Sequence, residues 1–328
     1  MALYLHGVGH AHPENVIDNA FLESLDIGTS DEWILERVGI RTRRTVLSLD
    51  YIKTTKNVDP RAAAEASTSD HRQLGAAAAR MALQRAGIEP SDIGMIIAGS
   101  TAPDFVCPAE ACTIGAELGI DAPAFDVMSA CTSFFTPINL LSRMRDDAVP
   151  RFVLIVVPET ITTTVDYRDR TAAVLWGDCA AAAVVSTSER GRAEIVDSTL
   201  SSGPSGWNKV IVPRQGFFRQ DGQSVQKFAI KAMSSMLERM QRERAIAGRL
   251  FSFVGHQANL RMLQSVCGMR SIPAHRHFHN VEAFGNTGAA GAPSVLSARW
   301  DALSSEDDVA MCGVGAGLTW SSCFLRFG

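Results

Sequence analysis

The sequence contains no apolar run long enough to span a bilayer. Its longest runs, Phe152 to Val157 and Cys179 to Val185, are far shorter than the roughly 20 residues that a membrane helix needs. The first residues contain no basic segment, so they do not resemble a signal peptide. We therefore expect no membrane partner and no membrane anchor.

The chain also has no large excess of charge of one sign and no closely spaced pair of cysteines. Lys and Arg number 31 against 35 Asp and Glu, a net charge of −4, which is unlike the basic stripe of a nucleic-acid-binding protein. The seven cysteines form no CxxC pair, which argues against a disulfide framework or a zinc module and favours a cytoplasmic location. With 46% hydrophobic and 20% charged residues, the chain can bury a large core.

Helical and strand patterns alternate along the first half of the chain. Apolar residues spaced by three and four predict helices, and short continuous apolar runs predict buried strands. The alternation predicts an α/β fold with a parallel sheet covered on both faces. The predicted helices lie near 74–86, 108–118 and 133–145, and the strands near 95–98, 124–128 and 152–157.

The second half repeats this rhythm after a Gly/Ser/Pro-rich stretch at 201–206. Predicted strands begin near 95, 124 and 152 in the first half and near 251, 278 and 308 in the second, and each half closes with one more strand. We interpret this as an internal duplication, with one half at 1–190 and the other at 191–328. Because the halves share no obvious residue identity, the interpretation depends on spacing alone.

Three polar residues follow predicted strands, where ligands collect in parallel α/β sheets. Cys131 comes after the strand at 124–128 and opens a helix, whose N-terminus favours a thiolate. His256 ends the strand that begins near 251, and Asn286 follows the strand containing Phe278 and Val281. Taken alone, Cys131 could be a small buried hydrophobic residue and His256 a structural histidine. Their shared position predicts a catalytic site.

The motifs around these residues resemble the β-ketoacyl-acyl-carrier-protein synthase III family of thiolase-fold condensing enzymes. The resemblance spans nearly the whole chain. Its motifs are Phe125-Asp126-Val127-Met128-Ser129-Ala130-Cys131, His256-Gln257-Ala258-Asn259-Leu260-Arg261, Gly285-Asn286-Thr287-Gly288-Ala289-Ala290, Thr29 to Ile34, Arg37 to Arg41, Asp169-Arg170, Gly177-Asp178 and Gly315 to Trp320.

The resemblance implies two pseudo-twofold-related halves in an αβαβα arrangement and a homodimer. It also implies that Cys131 accepts an acyl group from acyl-CoA while the NH groups of Cys131 and Ala316 hold the oxyanion. His256 and Asn286 then donate hydrogen bonds to malonyl-acyl carrier protein, or malonyl-CoA, as it loses carbon dioxide. Coenzyme A is a substrate here, and neither a tightly bound cofactor nor a metal is implied.

Residues further from the nucleophile correspond to substrate contacts in the family. Trp33, Arg37 and Arg170 are implied to bind coenzyme A, the first and last by enclosing the adenine. Lys227 and Arg261 are implied to meet the acidic carrier protein. The alternatives are that Trp33 is a core residue and that Lys227 and Arg261 are ordinary surface charges.

Two positions depart from acetyl-primed members of the family. Cys107 precedes the proline Pro108, where such members place an aromatic residue that bounds the acyl pocket of the partner subunit. Gln226 stands where an aromatic residue lines their coenzyme A tunnel. The smaller Cys107 predicts a roomier pocket and a specialised acyl donor.

Other interpretations of these residues compete with a condensing enzyme. His275, His277 and His279 alternate as metal ligands on a strand would, but no Cys, Asp or Glu stands at ligand spacing. A papain-like protease shares the order Cys, His, Asn but needs a different cysteine context. A catalytically silent partner would lack the nucleophile. A non-decarboxylating acyltransferase using the same acyl-cysteine, or a specialised condensing enzyme of a secondary-metabolite pathway, remains open.

Overall fold

The computed structural model describes residues 2–214 and 216–328. None of the helices in these ranges combines the length and hydrophobicity that a membrane-spanning helix needs. The strands are β1 Tyr4–Ala11, β2 Asn15–Asp18, β3 Thr42–Thr45, β4 Ile93–Ala98, β5 Ala124–Asp126, β6 Phe152–Glu159, β7 Cys179–Ser186, β8 Ala193–Ser202, β9 Val210–Ile211, β10 Arg219–Gln220, β11 Leu250–Val254, β12 Asp307–Gly315 and β13 Thr319–Phe327. The α-helices are α1 Asn19–Ser24, α2 Asp31–Arg37, α3 Leu49–Thr55, α4 Pro60–Ala66, α5 His71–Ala86, α6 Glu110–Leu118, α7 Phe135–Leu141, α8 Arg170–Ala173, α9 Gly222–Arg244, α10 Leu260–Met269, α11 Val281–Phe284 and α12 Gly291–Arg299.

Nine strands form one large mixed sheet in the order β11-β12-β13-β8-β1-β7-β6-β4-β5. Two groups within it share one pattern of directions. In the first, β1 is antiparallel to β7, β7 is antiparallel to β6, and β6 is parallel to β4. In the second, β8 is antiparallel to β13, β13 is antiparallel to β12, and β12 is parallel to β11. The groups meet only at β1 and β8, through the pairs Tyr4 with Glu194 and Leu5 with Ala193.

The expectation of an all-parallel sheet is therefore wrong. Among the strand pairs of the described residues, only β4–β5, β4–β6 and β11–β12 are parallel. The error has a physical cause: every strand buried on both faces has a continuous apolar sequence, whatever its direction. The predicted boundary at residue 190 falls between β7 and β8. That division into halves stays a prediction.

The strands of the large sheet are buried because helices and strands cover both faces. Along β7, Ala181, Ala183 and Val185 belong to one apolar cluster, while the alternate residues of the strand belong to another. The first cluster includes α7 and α12, which lie between the two strand groups, with α7 against β8 and β13 and α12 against β1, β7, β11 and β12. The second includes α5 on one outer side and α9 and α10 on the other. Helices and strands thus alternate in five layers.

The predicted strand near 278 is the main local error. Only one bridge forms there, between Phe253 and His277, with the Phe278 NH donating to the Phe253 carbonyl at 2.9 Å. The Oε1 atom of Gln257 then accepts the main-chain NH groups of Asn280 and Val281, at 3.0 and 3.2 Å. These bonds turn the chain out of the sheet and into α11. The helix predicted near 133–145 is also shorter, because α7 comprises only residues 135–141.

Candidate active site

Cys131 lies in a 3₁₀ turn, Ala130–Thr132, which follows β5 by a short loop. Ala130 has a φ of +51°, an uncommon conformation for a residue with a side chain, and so the turn is sharp. The end of β12 lies directly against this turn, because a Cβ atom at Gly315 would stand 2.9 Å from the main-chain nitrogen of Cys131. Only glycine allows the two segments to approach so closely.

The environment of Cys131 favours the neutral thiol. Burial, joined by the charge of the Glu159 carboxylate, raises the pKa of the thiol to about 12, although the Thr101 side chain and the residue's own NH act in the opposite direction. The predicted effect of the following helix on the thiolate stays a prediction. The helix α7 begins only at Phe135, after the 3₁₀ turn that contains Cys131, so this helix starts later than the sequence predicts.

His256 follows β11 in a tight turn, in which the Ala258 NH donates to the His256 carbonyl at 2.9 Å. Its side chain is buried, and burial lowers the pKa of the imidazole to about 4. The ring is therefore neutral at pH 7 and offers one NH donor and one acceptor nitrogen.

Asn286 follows α11 and is held from three sides. Its main-chain NH donates to the Leu175 carbonyl at 2.8 Å, and its carbonyl accepts the Gly177 NH at 3.0 Å. The Gly288 NH donates to its side-chain oxygen at 3.1 Å. Because the oxygen of the amide is occupied in this way, the NH₂ group is the end left to donate elsewhere.

One cavity of about 400 Å³ brings the three residues together. Cys131, His256 and Asn286 all line it, together with Ala316. The three catalytic candidates are only 8%, 6% and 5% exposed, so the chemistry they perform takes place away from bulk water. Trp33, Arg37 and Gln226 also line the cavity.

Trp33 lies between two guanidinium groups. The Cζ atom of Arg37 is 5.0 Å from the centre of its ring and that of Arg170 is 4.8 Å away. Arg170 also donates a hydrogen bond to the Gly28 carbonyl. The predicted adenine slot between Trp33 and Arg170 is closed in this structure. The Trp33 ring and the Arg170 guanidinium are already as close as two stacked groups, which leaves no room for an adenine between them. Arg170 is exposed and can move aside.

Arg261 stabilises the helix that presents Trp33. Ser30 caps the N-terminus of α2 by accepting the Trp33 NH at 3.2 Å. At the other end, Arg261 donates to the carbonyls of Leu35 and Glu36, at 2.7 and 3.2 Å. A cation at a helix C-terminus is favourable, so Arg261 has a structural task besides any contact with a partner.

Four predicted site residues do not line the cavity: Arg170 and Arg261, described above, and Lys227 and Cys107. Lys227 lines a separate surface pocket beside Lys231 and Arg270. Cys107 is exposed, next to the exposed Phe105 and Val106, and does not line the cavity of its own chain.

The rings of His277 and His279 lie 4.6 Å apart, but His275 does not follow them along a strand, because the predicted strand does not form. His275 is exposed in a 3₁₀ turn, whereas His277 is buried. In the described ranges, the group of three possible ligands is instead His71, Asp104 and Glu110. Two of these side chains bond directly, since Nδ1 of His71 contacts Oε1 of Glu110.

None of the motifs in the sequence points to Glu159, yet its carboxyl group is completely buried near Cys131. The only signal in the sequence is that Glu159 follows directly after the apolar run Phe152 to Pro158. A carboxylate at the end of a buried strand is carried into the core with it. Burial raises the pKa of Glu159 to about 7.

The five layers, the shared strand pattern and the cavity lined by Cys, His and Asn define a thiolase-fold condensing enzyme. Comparison with known proteins gives the family. The C-terminal model of 3-oxoacyl-[acyl-carrier-protein] synthase III matches residues 248–327, and the other model of the same synthase matches residues 125–204. The β-ketoacyl-[acyl-carrier-protein] synthase III of Natranaerobius thermophilus is 32% identical over 97% of both chains. The chain belongs to the 3-oxoacyl-[acyl-carrier-protein] synthase III family, whose members are acyltransferases.

Solved structures agree with this assignment. The 3-oxoacyl-[acyl-carrier-protein] synthase III from Aquifex aeolicus VF5 matches with a TM-score of 0.87 and 27% identity, covering 99% of this chain and 100% of that one. The priming β-ketosynthase from the R1128 polyketide biosynthetic pathway matches with a TM-score of 0.82 and 27% identity, covering 99% and 96%. The predicted fold class and the predicted family resemblance are confirmed.

Proposed function

We propose that this condensing enzyme accepts an acyl group from acyl-CoA on Cys131 and condenses it with malonyl-acyl carrier protein. The observation that supports this most directly is the joint position of Cys131, His256 and Asn286 in one cavity. The names of the relatives include acyl carrier protein, which supports the identity of the acceptor.

In the first step, the sulfur of Cys131 attacks the thioester carbonyl of acyl-CoA. A carbon–sulfur bond to Cys131 forms as its S–H bond breaks, the bond to coenzyme A breaks, and the departing coenzyme A thiolate takes up one proton in place of the one that the thiol releases. The NH groups of Cys131 and Ala316 stabilise the negative oxygen of the intermediate. The close contact between Gly315 and the Cys131 nitrogen supports this, because it holds the segment before Ala316 beside the turn of the nucleophile.

In the second step, His256 and Asn286 act on the malonyl group. Both donate hydrogen bonds to its thioester carbonyl, so negative charge gathers on that oxygen as carbon dioxide departs. The resulting carbanion attacks the acyl-cysteine and displaces the sulfur of Cys131. A neutral imidazole suits this task because it donates without a change of charge at pH 7, and the lowered pKa of His256 keeps it neutral.

The outer residues of the site have roles that complete this proposal. Trp33, Arg37 and Arg170 bind coenzyme A, with the adenine replacing the Arg170 guanidinium on the Trp33 ring. Lys227 and Arg261 meet the acidic carrier protein. The enzyme is a cytoplasmic homodimer in which the loop containing Cys107 bounds the acyl pocket of the other subunit.

Intact-mass measurement after incubation with a panel of acyl-CoAs tests the proposal. We expect one added acyl mass on the protein and none on Cys131→Ala, while Cys112→Ala, which removes an exposed thiol, behaves as the wild type. Absence of an adduct with every donor contradicts the mechanism. The chain lengths that react also measure the size of the acyl pocket.

A second candidate is a specialised priming enzyme, including one that transfers the acyl group without decarboxylation. The small side chain at Cys107, Gln226 in the cavity and the likeness to a priming β-ketosynthase of a polyketide pathway favour it. Release of carbon dioxide from malonyl-acyl carrier protein separates the two: its absence, together with normal acylation of Cys131, supports the non-decarboxylating enzyme.

A further inference from the structure

Two threonine hydroxyls join the segments that carry the two NH groups of the proposed oxyanion site. Thr132 ends the 3₁₀ turn that contains Cys131, and Thr319 opens β13, three residues after Ala316. The Oγ1 atoms of the two threonines lie 3.0 Å apart. Thr132 is completely buried and Thr319 is partly buried, and neither of them lines the cavity.

Each hydroxyl also reaches a main-chain carbonyl of the site. Oγ1 of Thr132 lies 2.7 Å from the carbonyl oxygen of Ser129, which precedes the turn of the nucleophile. Oγ1 of Thr319 lies 3.1 Å from the Ala316 carbonyl oxygen and 3.4 Å from the Ser129 carbonyl oxygen. The side chain of Thr319 is therefore within hydrogen-bonding distance of both segments.

The number of available protons indicates that the two hydroxyls bond to each other. Each hydroxyl has one proton to donate and lone pairs with which to accept. If Thr132 donates to the Ser129 carbonyl, Thr319 donates to Thr132. If Thr319 donates to the Ala316 carbonyl, Thr132 donates to Thr319. Donation by both to carbonyls would leave two oxygen atoms facing each other at 3.0 Å with no proton between them, which is unfavourable. One hydrogen bond thus crosses between the segments.

The main-chain packing at this junction does not fix a position by itself. A Cβ atom at Gly315, where β12 ends, would stand 2.9 Å from the Cys131 nitrogen. It would also stand 3.3 Å from the Thr132 nitrogen and 3.2 Å from Oγ1 of Thr319. Glycine lets the two segments touch, but such contact permits sliding, whereas a hydrogen bond has a preferred length and angle.

The loop between β12 and β13 is held on its other side by β8. The Leu318 NH donates to the Gly203 carbonyl at 3.2 Å, and the Gly203 NH donates to the Leu318 carbonyl at 2.7 Å. Gly203 follows directly after β8. The pair of threonines therefore holds the side of the loop that meets the turn of the nucleophile.

We propose that the hydrogen bond between Thr132 and Thr319 sets the separation of the Cys131 and Ala316 NH groups, so that both NH groups reach the same oxyanion. This inference rests on the proposed function of Cys131. The two threonines are positioning residues, which act through the main chain and transfer no proton. Because an oxyanion donor is effective at about 2.7–3.1 Å from the charged oxygen, a small shift of the loop costs much of its effect.

Two reactions of Cys131 differ in their need for the oxyanion site. Acylation by acyl-CoA passes through a tetrahedral intermediate with a negative oxygen. Alkylation by iodoacetamide displaces iodide at a saturated carbon and forms no such intermediate. Loss of the threonine bond should therefore slow acylation and leave alkylation unchanged, whereas a general disturbance around the sulfur would slow both reactions.

Thr319→Val and Thr319→Ser test the bond. We expect single-turnover acylation of Cys131 at saturating acyl-CoA to be slower by about 10-fold or more in Thr319→Val, because complete loss of one oxyanion donor costs on the order of 10²-fold or more. Thr319→Ser keeps the hydroxyl and should react nearly as fast as the wild type. Alkylation of Cys131, followed by peptide mass spectrometry, should have the same rate in all three proteins. Thr199→Val is the matched control, since it removes a hydroxyl that pairs with Ser322 at 2.7 Å between β8 and β13, outside the cavity.

The corresponding variants of Thr132 give an independent test. Thr132→Val should slow acylation by a similar factor, and Thr132→Ser should not. Because both Val substitutions remove the same bond, the double variant should be about as slow as the slower single variant. If one Val variant does not fold, the Val and Ser variants of the other threonine decide.

The results that overturn this inference differ from those that overturn the proposed function. Acylation at the wild-type rate in the Val variants, multiplied losses in the double variant, or an equal slowing of alkylation excludes the positioning role and leaves the acyl-cysteine mechanism standing. If the wild type accepts no acyl group from any acyl-CoA while iodoacetamide still alkylates Cys131, the acyl-cysteine mechanism is wrong, and the positioning role is wrong with it.

Discussion

The main-chain NH of Gly288 donates to the side-chain oxygen of Asn286 at 3.1 Å and so decides which end of the amide is free to act in the cavity. The orientation comes from the loop itself, since both partners lie within three residues of each other. Any side-chain acceptor at position 286 can keep the hydrogen bond from the Gly288 NH. The proposed chemistry instead uses the NH₂ group of Asn286, which donates.

Asn286→Asp separates these two roles. The aspartate still accepts the Gly288 NH, but an acceptor oxygen replaces the NH₂ donor. We expect acylation of Cys131 within about threefold of the wild type, and decarboxylation of malonyl-acyl carrier protein slower by about 10²-fold or more, because one lost oxyanion donor costs about that much. Single-turnover acylation and release of carbon dioxide measure the two steps. Asn280→Asp, at the start of α11, is the control. Unchanged carbon dioxide release would exclude the donor role.

Arg170→Ala tests the coenzyme A contact. We expect the KM for acyl-CoA to fall by up to about 5-fold with little change in kcat, because the adenine no longer has to displace a guanidinium from the Trp33 ring, a contact on the order of 1 kcal/mol. Acyl-pantetheine, which lacks the adenine, should show no difference between the variant and the wild type. Arg168→Ala is the matched control, since Arg168 is exposed nearby and pairs with Asp166. An equal change of KM with both substrates would contradict adenine binding at Trp33.

Lys227→Glu tests the contact with the carrier protein. Reversing this charge should raise the KM for malonyl-acyl carrier protein by about 10-fold or more at low salt and leave the KM for malonyl-CoA unchanged. The effect should shrink as salt screens it. Lys53→Glu, on the surface of α3, is the control. A similar rise for malonyl-CoA would show that Lys227 acts through the fold.

The burial of His256 makes stability depend on pH. Its pKa is lowered from 6.5 to about 4 in the folded chain, so between these values the unfolded chain binds more protons. Stability should therefore be full above pH 6.5 and fall as the pH drops towards 4, by about 3 kcal/mol from this residue. Urea unfolding at pH 7.5 and 5 measures the fall, and His256→Gln should show a smaller fall than the wild type. The same pH dependence in both proteins would contradict a buried neutral imidazole.

The sequence predicted the strand β5 and the positions of Cys131 and His256 after strands because apolar runs and their polar ends are local signals. It predicted Asn286 in the right place for a partly wrong reason, since no strand forms at Phe278. What diverted that segment is a side chain: Gln257 accepts two main-chain NH groups that a strand would have used. Hydrogen bonds between residues so far apart in the sequence leave no periodic pattern in it.

The surroundings of the nucleophile were also beyond the sequence. A cysteine before a helical pattern predicts a residue at the start of a helix, yet α7 begins only at Phe135 and the carboxyl group of Glu159 is buried near the thiol. Both depend on how distant segments meet. The structural role of Arg261 is a similar case, because its bonds to the end of α2 become visible only when residues more than two hundred positions apart are brought together.

The stacking of Arg170 on Trp33 has a consequence for the release of coenzyme A. In the proposed enzyme, an adenine that binds to this ring must first displace a group of the protein that already occupies it, so binding exchanges one stacked contact for another and its net gain is small. After acylation, the same guanidinium can return to the ring as the adenine departs. Arg170 thus competes with the released coenzyme A for the Trp33 ring, which limits product inhibition before the malonyl acceptor binds.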